Sequence, residues 1–169
     1  MFRFVVLLSV AAVISGQSTP VNQCTFYNAP LPINTYIEGC DSLPCELPQL
    51  QDAVIHMTYK APENISRMRT LATAFLPGLF PIQYPLLANG ETCNFLTNTN
   101  CPVQKDEIIQ YSLKMFIQPS FPVGIQTTLE FRIQDGERLS NVVCIQVPIR
   151  VVSPANKDGA DDAASIDLA

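Results

Sequence analysis

Along this 169-residue chain, apolar positions come in short runs that alternate with polar ones or are dense in β-branched side chains. The clearest are AVIHMTY from Ala53, RTLATAFL from Arg69, IIQYSLKMFI from Ile108, TTLEFRIQD from Thr127 and VVCIQVPIRVV from Val142. A side-chain period of two, built from Val, Ile, Thr, Tyr and Phe, marks strands with one face buried. Fourteen prolines are scattered along the chain, and their missing N–H and fixed φ leave no room for a long helix. Several short strands with turn residues between them predict an all-β sandwich or barrel. The length suits one domain with a sizeable core, and no internal repeat divides it.

The first sixteen residues, MFRFVVLLSVAAVISG, read differently. One positive charge at Arg3, an apolar run from Phe4 to Ile14 and small residues at Ser15 and Gly16 are the parts of a signal peptide. The run is shorter than the roughly 20 residues that cross a bilayer. A soluble, secreted chain beginning near Gln17 is therefore expected. The last stretch, residues 154–169, carries four aspartates against one lysine and little to bury, so it reads as an acidic disordered tail. Residues 17–153 remain as the folded domain.

Net charge is −5, and the few basic residues form no run that would grip a phosphate backbone, which argues against nucleic acid. Behind a secretory leader, the six cysteines (Cys24, Cys40, Cys45, Cys93, Cys101 and Cys144) read as a disulfide framework. Zinc would want Cys-x-x-Cys or Cys/His clusters, so no metal or cofactor is expected. Six cysteines allow fifteen connectivities, and spacing does not choose among them. Cys40 with Cys45 and Cys93 with Cys101 are plausible local pairs, which would leave Cys24 for Cys144.

Chemistry-bearing residues are sparse. The single histidine, His56, lies inside AVIHMTY, on one strand face with Val54 and Thr58, without a nucleophile motif to serve. It reads as a strand residue with a satisfied hydrogen bond. The pairs Asp106/Glu107 and Asp135/Glu137 sit beside turn residues and read as solvated turn charges. Asn64-Ile65-Ser66 is a glycosylation sequon in a polar stretch between strands, placing Asn64 on an exposed hairpin. An enzyme is not expected.

What stands out is an apolar excess beside turns. FLPGLFPIQYPLL, from Phe75 to Leu87, has no charge and too many prolines for one regular strand. It reads as a core strand running into a buried loop or, more sharply, as the lip of a hydrophobic cavity lined by Phe80, Ile82 and Tyr84. Phe116, Ile117, Phe121 and Pro122 flank a second proline-rich turn in the same way.

The run CPVQKDEIIQYSLKMFIQPSFP, then LEFRIQD, then VVCIQVPIRVVS, resembles the Niemann-Pick type C protein 2 family, soluble sterol carriers of the lipid-recognition (ML) domain class. GCDSLPCEL around Cys40 and Cys45, and FPI from Phe80 to Ile82, continue the likeness, which covers residues 20–153. It implies an immunoglobulin-like sandwich of about seven strands in two sheets, with a hydrophobic ligand tunnel between them. It also implies one connectivity: Cys24–Cys144, Cys40–Cys45 and Cys93–Cys101. By the same likeness Phe80, Ile117 and Phe121, with Pro122 beside them, form the tunnel mouth, while Phe131, Ile145, Val147 and Ile149 line its interior. Sterol carriers of this family place tryptophans where this chain has Phe131 and Ile145, so its tunnel is expected to be differently shaped and roomier.

The function so implied is a secreted, monomeric, non-enzymatic carrier that binds a sterol, fatty acid or related lipid between its sheets and transfers it. Delivery would be to a membrane lipid-transfer protein or receptor, in the extracellular fluid or the lysosomal lumen. The alternative is an extracellular recognition protein that presents a microbial lipid or carries a small semiochemical. A disulfide-stapled adhesion module with a filled interior is the plainest rival.

Overall fold

The computed structural model describes residues 16–154. The expected leader, apart from Gly16, and the acidic tail, apart from Pro154, lie outside the described residues. Nine strands follow in chain order: β1 (Asn22–Gln23), β2 (Asn34–Ile37), β3 (Cys45–Pro48), β4 (Asp52–Lys60), β5 (Met68–Phe75), β6 (Ile82–Tyr84), β7 (Ile108–Phe116), β8 (Gln126–Asp135) and β9 (Asn141–Val152). Two short 3₁₀ turns, Leu87–Gly90 and Thr92–Phe95, lie between β6 and β7. The five runs picked out by period two are the five long strands, β4, β5, β7, β8 and β9. The count exceeds the expected seven because short strands attach to the edges of these.

The strands make two sheets. The larger runs β1-β9-β8-β5-β6, with β3 also on β9; the smaller runs β2-β4-β7. Pairing is antiparallel except for β3, which lies parallel to β9 with Cys45 opposite Ile149. Alternation decides what faces inward. β4 buries Ala53, Ile55, Met57 and Tyr59, β8 buries Leu129, Phe131 and Ile133, and β9 buries Val143, Ile145, Val147, Ile149 and Val151. One core fills the space between the sheets.

The edges of the smaller sheet are covered by side chains acting as strands. On β7, Asn98 donates its amide to the carbonyl of Ile108 (2.8 Å) and accepts from the N–H of Gln110 (2.7 Å). Thr97 donates its N–H to the carbonyl of Gln110. On β2, Thr19 does the same work: its N–H reaches the carbonyl of Thr35 and its hydroxyl accepts from Ile37. Exposed sheet edges invite pairing with other chains, and these contacts occupy them.

All three implied disulfides are formed: Cys24–Cys144, Cys40–Cys45 and Cys93–Cys101. The first ties the segment after β1 to β9 across 120 residues. It lies on the outer face of the larger sheet, since Cys144 points away from the side that Val143 and Ile145 face.

Among the described residues, the lining expected of the tunnel encloses only a narrow space. Between the sheets, Ile37, Leu47, Ala53, Ile55, Leu129, Phe131, Val147 and Ile149 surround about 190 Å³ of space between atoms, drawn out too thin to seat a water molecule. Phe131 lies between Ala72 and Ile145 in register and fills the seam with its ring.

Candidate functional site

The thin seam and the end of the sandwich above it form the candidate site. At that end β3, β5, β7 and β9 finish and β4, β6 and β8 begin, so their connecting loops meet. Seven large apolar side chains are exposed there: Leu50, Leu79, Phe80, Ile82, Leu87, Phe116 and Val123. Phe80 is 92% exposed, which overturns the reading of Phe75–Leu87 as a strand entering a buried loop. The segment instead leaves β5, turns at Gly78 (φ +76°) and returns as the three-residue edge strand β6. Proline keeps N–H groups out of the turn, and the apolar side chains are left facing water.

The structure divides the expected ligand residues into groups. Phe131, Val147 and Ile149 line the seam. Ile145 faces the same side of β9 but is fully packed opposite Phe131 and does not border the seam. Ile117, expected at the mouth, is a core residue at 3% exposure; its N–H reaches the carbonyl of Gln51 and its carbonyl accepts from Leu50, both at 2.8 Å. Phe121 is half-buried against the core and packs on Tyr84, ring centroids 5.7 Å apart. Pro122 is exposed beside it, as are Phe80 and Ile82.

Other seam residues had a readable signal. If His56 faces outward with Val54 and Thr58, then Ala53 and Ile55 face inward, and Leu129 shares the face of Phe131. Ile37 and Leu47 lie on strands too short to show a period. The role of Gln49 in holding the mouth together had no signal in the sequence. Its amide donates to the carbonyls of Pro119 (3.3 Å) and Phe121.

Tyr84, expected as lining, is the rim's main polar contact. Its hydroxyl donates to the carbonyl of Phe116. Burial raises its pKa, with the Asp52 charge adding to the rise and a hydrogen bond with Gln118 opposing it.

Deeper between the sheets the lining becomes polar. Thr70 shares hydrogen bonds with Thr92 (2.7 Å) and Tyr111 (2.8 Å), and Tyr59 donates to the Met68 sulfur. Burial pushes the Tyr111 phenol up to about 12, although hydrogen bonds with Thr70 and Thr92 pull it down. Burial and the neighbouring Tyr111 push Tyr59 higher still. These phenols stay neutral and act as packing with a satisfied polar tip.

The remaining chemistry-bearing residues lie away from the seam. His56 bonds Glu38 (2.8 Å) and stacks on Tyr36, as a strand residue should. Asp106 is solvated and paired with Lys60, which holds its carboxyl below the usual range; Glu107 is lowered by hydrogen bonds from Thr99 and Gln104. Asp135 corrects the reading of it as a solvated charge. It is 2% exposed and accepts the N–H groups of Glu137 and Arg138, closing the β8–β9 turn. Asn64 is exposed in the β4–β5 connection, with its carbonyl Oδ1 accepting from the Lys105 N–H.

The architecture is thus a disulfide-stapled two-sheet sandwich with a closed apolar seam below an apolar rim. The ML domain family model matches residues 18–151, and the chain belongs to that family. It is 25% identical over 120 residues to the Mus musculus protein named NPC intracellular cholesterol transporter 2, covering 69% of this chain and 74% of that one. Its identity to the Drosophila melanogaster homolog a of that transporter is 23% over 154 residues, covering 89% and 99%. The crystal structure of a Niemann-Pick type C2 protein from Japanese carpenter ant matches with a TM-score of 0.67 at 18% identity, over 79% of this chain and 99% of that chain, and shows the same fold. Among the described residues no helix is long and apolar enough to cross a membrane.

Proposed function

We propose that this chain is a secreted, non-enzymatic carrier that takes a sterol, fatty acid or related lipid between its two sheets. The observation that carries the reading is the seam: eight apolar side chains from five strands, without one polar group among them, lie below a rim of exposed apolar residues. A soluble domain gains nothing from leaving Phe80 and Leu87 in water unless something apolar meets them. Membership in the ML family and the cholesterol transporters among its relatives support the same reading.

Because the seam is closed, a ligand must part the sheets. Parting them sacrifices the dispersion attraction between interdigitated side chains. That cost is offset by moving ligand surface out of water, at about 25 cal/mol per Å² of apolar area. Phe131, Val147 and Ile149 would then touch the ligand along its length, and Phe80, Ile82 and Phe121 would close over its outer end. The decisive experiment is mass spectrometry of lipids that co-purify with the natively secreted protein, followed by titration of the delipidated protein with cis-parinaric acid and dehydroergosterol. Saturable binding at one site per chain is expected. Absence of both a co-purified lipid and any saturable binding would leave the filled adhesion module as the better account. The same preparation reads the sequon: N-glycosidase treatment should lower the mass by one glycan and convert Asn64 to aspartate.

A further inference from the structure

We propose that the β7–β8 loop, residues 117–125, is a door over the interior seam, and that Tyr84 and Gln49 are the positioning residues that hold it shut. The proposal rests on the carrier reading and says how that carrier admits its ligand. Backbone hydrogen bonds fix the loop at both ends. Ile117 is held on two sides by Leu50 and Gln51, and Gly124 donates its N–H to the carbonyl of Val151 (2.8 Å). These anchors flank the seam, since Leu47 and Ala53 lie on either side of the Gln49–Gln51 turn and Ile149 lies two residues before Val151. The loop therefore crosses above the seam's lining.

Between the anchors the tether changes character. Among the described residues, no backbone hydrogen bond joins residues 118–123 to another part of the chain; the bond from Phe121 to Gln118 is internal to the loop. The middle is held from outside by the Gln49 amide on the carbonyls of Pro119 and Phe121, and by Tyr84. Tyr84 packs its ring on Phe121 and donates its hydroxyl to Phe116 at the loop's root. Gly124 has φ +86° and open space where a Cβ would stand, so it is a natural pivot. Phe121 is the door's inner face, half-buried on the core, while Pro122 and Val123 face water. Two side chains from distant parts of the chain thus latch a loop whose backbone is otherwise free to swing.

A latch that is closed in both the free and the loaded protein sets how often the door opens and not how tightly the ligand is held. The test uses Tyr84→Phe, which keeps the ring, and Gln49→Ala. In the ligand-free protein, amide exchange of the peptide covering 117–125 should speed about fivefold in Tyr84→Phe, which loses one neutral hydrogen bond, and by at least as much in Gln49→Ala, which loses two, with β8 and β9 unchanged. Stopped-flow uptake and release of cis-parinaric acid should both quicken by the same factor as exchange in each variant, with Kd within about twofold of the parent, since the closed free and closed loaded states are destabilised alike. Unchanged exchange in 117–125 overturns the latch. Faster exchange with an unchanged uptake rate, or a weakened Kd at an unchanged uptake rate, overturns the door and assigns the two residues a purely structural role. A parent protein that binds neither cis-parinaric acid nor dehydroergosterol overturns the carrier reading and the door's function together, while the exchange result still decides the latch.

Discussion

Phe80 and Phe131 are the same residue in opposite settings, and the contrast separates stability from function at the scale of one side chain. Phe131 is 1% exposed and sits between Ala72 and Ile145 in the larger sheet. Truncating it to alanine leaves a cavity beside a seam already short of atoms and should cost about 3–5 kcal/mol of stability. Phe80 has almost nothing to lose in the free protein, so Phe80→Ala should change stability by less than about 0.5 kcal/mol. If its ring closes over the outer end of a ligand, affinity should fall by about 1–3 kcal/mol all the same. Thermal melts beside cis-parinaric acid titrations of both variants check the pair. A Phe80 variant with parental affinity would remove that residue from the binding surface without touching the seam. Ile117 shows the limit of reasoning from family likeness: the resemblance implies a place at the mouth, but hydrogen bonds with the Leu50–Gln51 turn draw it into the core.

Elements were legible in proportion to their length. The period-two runs became β4, β5, β7, β8 and β9, because a long alternation can only be satisfied with one face in and one out; β5, at eight residues, is the shortest of them. β1, β2, β3 and β6 have between two and four residues and exist because a long neighbour offers a free ladder. Sequence pattern cannot show such strands, since their pairing is decided by parts of the chain far away. β3 is the sharpest case, with Pro48 ending it and a parallel partner, β9, that lies at the far end of the domain. The same reason hid Gln49 and Ile37 from the reading of the site, while Phe131, Val147 and Ile149, on long strands, were named by the family resemblance. Edge covering belongs to this scale too. Asn98 replaces a whole strand on the β7 edge with its two amide atoms, so Asn98→Ala should cost about 1–2 kcal/mol and speed amide exchange at Gln110. A variant with parental stability and protection at Gln110 would mean that the Asn98 amide does not close this edge.

At the scale of the whole molecule the sandwich is uneven. One end has a thin apolar seam under a latched loop. Further in, the space between the sheets is closed by Tyr59, Tyr111, Thr70 and Thr92, whose polar tips are bonded to each other or to Met68. That places compliance where a ligand would enter and rigidity beyond it, and pH can test the rigid part. In the unfolded chain both phenols ionise near about 10. In the folded chain burial holds Tyr111 up at about 12 and Tyr59 above that. Below about pH 10 both states keep their protons and neither tyrosine affects stability. As pH rises beyond that, the unfolded state holds fewer protons than the folded one, so stability falls, by up to about 1.4 kcal/mol per pH unit for each phenol. The loss continues until the folded-state values are passed. Of the five tyrosines, Tyr59 and Tyr111 should therefore form tyrosinate only together with loss of the β-sheet circular dichroism signal, in one cooperative alkaline transition. Thr70→Val removes the hydroxyl that bonds Tyr111 and should move that transition to lower pH by destabilising the fold. If all five tyrosines ionise while the sheet signal is intact, water reaches the deep end freely, and the division into a yielding mouth and a closed base fails.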